Sequence, residues 1–201
     1  MNDKFFDLKK EKQDKMINGA MQIFASKGYK LASTDDMVKT AGVSKGLWFH
    51  YFGNKVGLYT FVADYCVKYL NMELSVNLAG KPTDYFDILY VVEDTKAQIS
   101  KMYPFAPLMI QSMLDEKDEE IIEVTKSKIT PYMETVDNAF ELFEEDRLKD
   151  GVSRRVLDMT VRYTLEGLMR SAYSGGTFDS DKYLSEVKAY FDMMRGLVYQ
   201  T

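Results

Sequence analysis

The chain has 201 residues, of which 46% are hydrophobic and 28% charged, the balance of a globular protein rather than a disordered one. No apolar run approaches the ~20 residues that a membrane span requires, and one cysteine, Cys66, with one histidine, His50, argues against an internal disulfide, a zinc site or a histidine-based catalytic triad. The net charge of −5 is uneven: residues 1–58 hold ten Lys, no Arg and six Asp or Glu, a balance of +4 that leaves −9 on residues 59–201, which suggests a nucleic-acid-facing head on a solvated body.

The first fifteen residues are charged throughout, without the apolar stretch of a signal peptide. With a lone cysteine, this predicts a cytoplasmic protein. Prolines occur only at 82, 104, 107 and 131, and apolar residues recur at spacings of three and four, so the predicted class is all-α with about nine helices. The first helix runs from about Lys10 to Lys27, buries Met16, Ile17, Ala20, Met21, Ile23 and Phe24, and stops at Gly28. The second starts after Ser33 or Thr34, either of which can cap it, with Asp35 and Asp36 placed where the helix dipole favours negative charge. Ser44 caps a third helix, Lys45 to about Phe52. A fourth begins near Asn54 and ends before Gly80-Lys81-Pro82, with Leu58, Phe61, Val62, Tyr65, Cys66 and Tyr69 on one face. The fifth covers about 83–101, and the sixth opens at Pro104 or Pro107 and ends near Leu114. The seventh extends to about Leu148 on the stripe Ile122, Thr125, Ile129, Met133, Val136, Phe140 and Phe143, with a kink at Pro131. Glycines at 151, 175 and 176 set off the last two helices, about 153–174 and 180–199.

The second and third helices, joined by Ala41-Gly42-Val43-Ser44, form a helix-turn-helix. Glycine permits the sharp turn, and Val43 fills the corner. In such a unit the second helix enters the major groove with its N-terminal end foremost. Thr34 and Ser44 are then placed near phosphates, Lys45 and Lys55 can neutralise them, and His50 and Tyr51 can donate to phosphate or stack on sugar. Trp48 and Phe52 are read as core plugs of the head.

The run from Ala41 to Lys55, AGVSKGLWFHYFGNK, followed by Leu58-Tyr59 and preceded by Ala20, Phe24, Lys27-Gly28-Tyr29 and Thr34, resembles the TetR family of transcriptional regulators over about residues 12–60. The resemblance implies a three-helix DNA-binding head, residues 1–54, on a helical body, residues 55–201, that dimerises and binds a small molecule. It implies DNA contacts at Thr34, Ser44, Lys45, Gly46, Phe49, His50, Tyr51 and Lys55. Two departures stand out. Phe49 replaces a frequent tyrosine and has no hydroxyl for a phosphate. Val56-Gly57 follows Lys55 where a glutamate is common, and Gly57 costs about 1 kcal/mol of helix propensity against alanine, which would loosen the joint between head and body.

In the body, the eighth helix is apolar almost all round and the ninth is apolar on two sides, more than one small bundle can cover. Pairing both helices with those of a second copy resolves the excess, through Val161, Leu165, Leu168, Tyr190, Met194 and Leu197. The resemblance implies the same surface, and a two-fold dimer sets two recognition helices roughly 34–36 Å apart on a palindromic operator. Met102, Phe105, Met109, Met133 and Tyr163 are expected to line a mostly apolar effector pocket among helices five to eight. The predicted function is a repressor of double-stranded operator DNA released by a small apolar or amphipathic effector, with no cofactor. One alternative is a regulator whose body docks a protein partner. The other is a helical enzyme, for which no nucleophile–base pair, phosphate loop or metal-ligand spacing is present.

Overall fold

In the computed structural model, which describes residues 3–200, nine α-helices succeed one another: α1 Lys10–Leu31, α2 Thr34–Ala41, α3 Lys45–Phe52, α4 Lys55–Asn77, α5 Tyr85–Ser100, α6 Ala106–Leu114, α7 Ile122–Ala139, α8 Arg154–Ala172 and α9 Ser180–Val198. Among the described residues, extended pairing is confined to one antiparallel bridge, Leu148 with Tyr199. The helices group into two compact units, residues 3–69 with 102–132, and residues 70–101 with 133–200. The division cuts α4 after Tyr69 and α7 after Tyr132, one residue beyond Pro131.

In the first unit α1 packs against both α2 and α6. Met16, Ile17, Ala20 and Phe24 are buried on α1, as the spacing requires. The helical geometry of α1 breaks at Gly28, whose φ of 68° is open to glycine. Two polar clusters tie α1, α4, the segment before α6 and α7 together. The Tyr65 and Tyr103 hydroxyls lie 2.6 Å apart, beside a Lys10–Asp14 ion pair of 2.8 Å. Thr125 Oγ1 donates to the Tyr59 hydroxyl at 3.1 Å, and burial pushes the Tyr59 phenol up to about 12.

One element of this core was not anticipated. A 3-10 turn, Asp3–Asp7, precedes α1 and inserts Phe5 into the head. Its ring lies 5.2 Å from those of Phe52 and Phe61 and 5.7 Å from that of Tyr51. Gln13 Nε2 fastens the turn by donating to the carbonyls of Phe6 and Leu8.

In the second unit α9 packs on α5 and α8. Here α7 ends at Ala139 instead of reaching Leu148, and two 3-10 turns follow. The cause is aromatic packing. Phe140 and Phe143 fold back onto Tyr85, with centroids 5.3 and 5.6 Å away, and the Arg154 guanidinium lies within 5.0 Å of both phenylalanine rings. The α7 stripe is also corrected: Tyr132 is buried after Ile129, and Met133 is exposed.

Candidate nucleic-acid interface

Each short helix of the helix-turn-helix is started by a serine. Ser33 Oγ accepts from Asp35 N, and Ser44 Oγ accepts from Leu47 N, both at 3.2 Å. Such caps satisfy amides that would otherwise lack partners. Of the two caps considered for α2, the chain uses Ser33, and Thr34 is the first helical residue. Gly42 sits in the left-handed region, φ 64° and ψ 35°, which lets Val43 N return to the Val38 carbonyl at 3.1 Å.

The eight residues of α3 divide by face. Trp48, Tyr51 and Phe52 are buried, Tyr51 against the buried ring of Phe5 and Trp48 against that of Phe52. Lys45, Gly46, Phe49 and His50 are exposed. Trp48 and Phe52 are the core plugs expected. Tyr51 departs from expectation: its ring turns inward against Phe5, because a helix that buries residues 48 and 52 carries residue 51 on the same side.

The lysines are engaged. Lys45 Nζ is 2.7 Å from Asp35 Oδ1 across the turn, and Lys27 Nζ is 2.7 Å from Asp36 Oδ2. Both pairs are about half exposed, where such contacts contribute ~0–1 kcal/mol and exchange readily for other anions. Lys55 Nζ donates to the Lys30 carbonyl at 3.3 Å and lies 4.3 Å from the Tyr29 ring centroid. It therefore ties the start of α4 to the end of α1. The Lys45–Asp35 pair was not foreseeable from spacing, since it joins residues brought together only by the turn.

Gly57, expected to loosen the joint, is instead a site of close approach. A β-carbon there would collide with the Phe52 carbonyl, and Gly57 N donates to Asn54 Oδ1 at 2.8 Å.

The residues assigned to the body separate in the same way. Met102, Phe105 and Met109 belong to the first unit, where Met109 is fully buried, Phe105 half-buried and Met102 exposed. Met133 and Tyr163 belong to the second unit, and both are exposed. On α8, Leu157, Val161, Leu165 and Met169 form the stripe buried in the unit's own core, while Val156, Met159 and Tyr163 stand exposed on the other side. Val161 and Leu165 are thus core residues, and so is Met194 of α9; Leu168 and Tyr190 are half-buried, and Leu197 is exposed beside Met193. The helix spacing predicts α8 as apolar almost all round, with Val161 and Leu165 assigned to a second copy and Tyr163 to a pocket; in the folded unit Val161 and Leu165 are buried and Tyr163 is exposed.

Among the described residues no helix is long and apolar enough to cross a membrane, and no group of His, Cys, Asp and Glu is placed to hold a metal ion.

With this geometry in view, residues 16–60 match the sequence model of the family described as bacterial regulatory proteins, tetR family. The chain is 31% identical over 78 residues to IcaR, the HTH-type negative transcriptional regulator of the biofilm operon icaADBC in Staphylococcus aureus, a match covering 39% of this chain and 41% of IcaR. It is 22% identical over 210 aligned positions to the HTH-type transcriptional regulator YerO of Bacillus subtilis, covering 93% of this chain and 66% of YerO. Both matches thus span less than two thirds of the relative's length. Among solved structures, a TetR family transcriptional regulator from Chloroflexus aurantiacus superposes with a TM-score of 0.63 at 16% identity, covering 100% of this chain and 99% of that one.

Proposed function

We propose that this chain, whose residues 16–60 match the model of the tetR family of bacterial regulatory proteins, is a cytoplasmic DNA-binding transcriptional regulator of that family. Residues 1–54 act as the DNA-binding domain and residues 55–201 as the dimerisation and effector-binding domain. The observation that carries this reading is the exposed face of α3, where Lys45, Gly46, Phe49 and His50 share one side of a serine-capped helix. A capped helix N-terminus with an adjacent lysine attracts phosphate oxygens and leaves the outward side chains to base edges. Thr34 and Ser44 position the phosphate backbone from either side of the turn. Lys55 acts less directly, by holding α4 against the end of α1.

The regulator works as a repressor, by analogy with IcaR, whose name records a negative role. It binds a palindromic operator as a homodimer. The exposed apolar residues Val156, Met159 and Tyr163 on α8, with Met193 and Leu197 on α9, support a second copy as the partner. The abundance of methionine and aromatic side chains on α5–α8 supports an apolar or amphipathic effector. Such an effector releases DNA only by its preference for the non-binding state, so operator DNA weakens effector binding by the same factor.

The test is a mobility shift with the intergenic DNA beside the protein's own gene. A retarded band that requires an inverted repeat is expected, and Lys45→Ala should weaken it at least tenfold. No shift with any fragment of that DNA, or a shift indifferent to the repeat, would overturn the reading.

A further inference from the structure

We propose that Phe49 is a specificity-determining residue that reads the 5-methyl group of thymine in the major groove. The inference rests on the assignment of α3 as the recognition helix and adds to it a base and an atom.

Phe49 is the one aromatic residue of α3 that is both exposed and without a polar ring atom: Trp48, Tyr51 and Phe52 are buried, His50 is exposed but polar, and Phe49 is 38% exposed. A benzyl side chain has neither donor nor acceptor, so it can bond to no phosphate and to no polar base edge. What it can recognise is an apolar group, and thymine alone among the four bases presents one in the major groove, its C5-methyl. The neighbourhood favours that contact. Gly46 lies one turn towards the N-terminus on the same face, and a β-carbon there would meet nothing within 4 Å. The space beside Gly46 is therefore open to a base edge next to the exposed Phe49 ring, on the face of the helix that enters the groove. Lys45, one turn before Phe49, supplies the charge that draws the helix to the duplex.

The experiment selects a duplex from random DNA with the full-length protein, then replaces each thymine of the selected site in turn by deoxyuridine, which pairs identically but lacks the methyl. For the wild type, one or two positions per half-site should show about fourfold weaker binding on replacement, the effect of burying one methyl group. Phe49→Ala should bind thymine and deoxyuridine duplexes equally at those positions while retaining the wild-type helical content. If no replacement weakens the wild type, or if Phe49→Ala discriminates as strongly as the wild type, the proposal is overturned. If the wild type selects no duplex, the DNA-binding reading fails first, and this proposal with it.

Discussion

The main-chain carbonyl of Phe52, at the end of α3, fills the space that a β-carbon on Gly57 would need in the first turn of α4. The end of α3 and the start of α4 are therefore held at a close approach that only glycine allows.

Two principles give opposite signs for Gly57→Ala. Helix propensity alone predicts a gain of about 1 kcal/mol. The collision with a backbone atom predicts a loss of about 1–3 kcal/mol, together with weaker DNA binding as α3 shifts. The contact is to backbone and cannot rotate away, so the loss is expected to dominate. A lowered denaturation midpoint checks this, and a raised midpoint would contradict it.

Phe5 is fully buried among the rings of Tyr51, Phe52 and Phe61. Phe5→Ala should destabilise the head by about 3–5 kcal/mol, as removal of a core phenylalanine does. Chemical denaturation followed by Trp48 fluorescence, which reports on the same core, measures it. A change below about 1 kcal/mol would mean that the N-terminal turn contributes little.

The parts of this protein that were legible in its sequence are those written in local chemistry. Caps at Ser33 or Thr34 and at Ser44, the left-handed turn at Gly42 and the three-and-four spacing of Met16, Ile17, Ala20 and Phe24 all act within a few residues of themselves. The parts that were not legible depend on partners distant in sequence. Nothing near Phe5 announces that its ring belongs beneath Phe52 and Phe61. The end of α7 at Ala139 follows from the attraction of Phe140 and Phe143 to Tyr85 and Arg154, which no helical periodicity contains. On α8 the spacing shows apolar residues almost all round, and only the packing of the unit decides that Val161 turns inward and Tyr163 outward.

Asp64 gives a pH signature. Burial raises its carboxyl pKa, but Lys128 and Lys68, each at 2.8 Å, outweigh that effect and hold it below the ordinary carboxylate range. A pKa depressed in the folded state means stability that is present above the unfolded value, about 3.9, and lost as pH falls through the folded one. Asp64→Asn should cost at most about 1 kcal/mol at neutral pH, since water screens a pair whose Lys68 is largely exposed. Its deficit relative to the wild type should shrink as pH falls well below the unfolded value of about 3.9. Denaturation midpoints at neutral pH and in acid check this, and a deficit that persists undiminished in acid would contradict it.

The two faces of α8 should respond differently to charge. Tyr163 is 55% exposed and Leu197 of α9 60% exposed, whereas Val161 is 1% exposed. Tyr163→Asp combined with Leu197→Asp should leave the helical signal intact and yield a monomer in sedimentation. Val161→Asp should unfold the second unit, since a buried unpaired charge costs several kcal/mol. A wild type that sediments as a monomer, or a double variant that remains a dimer, would refute the proposed interface.

The central claim, that α3 presents this chain to duplex DNA, is tested most directly by the salt dependence of binding to a duplex selected from random sequence. If the homodimer neutralises about 6–10 phosphates, affinity should fall by roughly 10³–10⁵ between about 50 and 200 mM salt, and the selected duplex should contain an inverted repeat with half-sites one helical turn apart. A flat salt response with no enriched sequence would contradict the account.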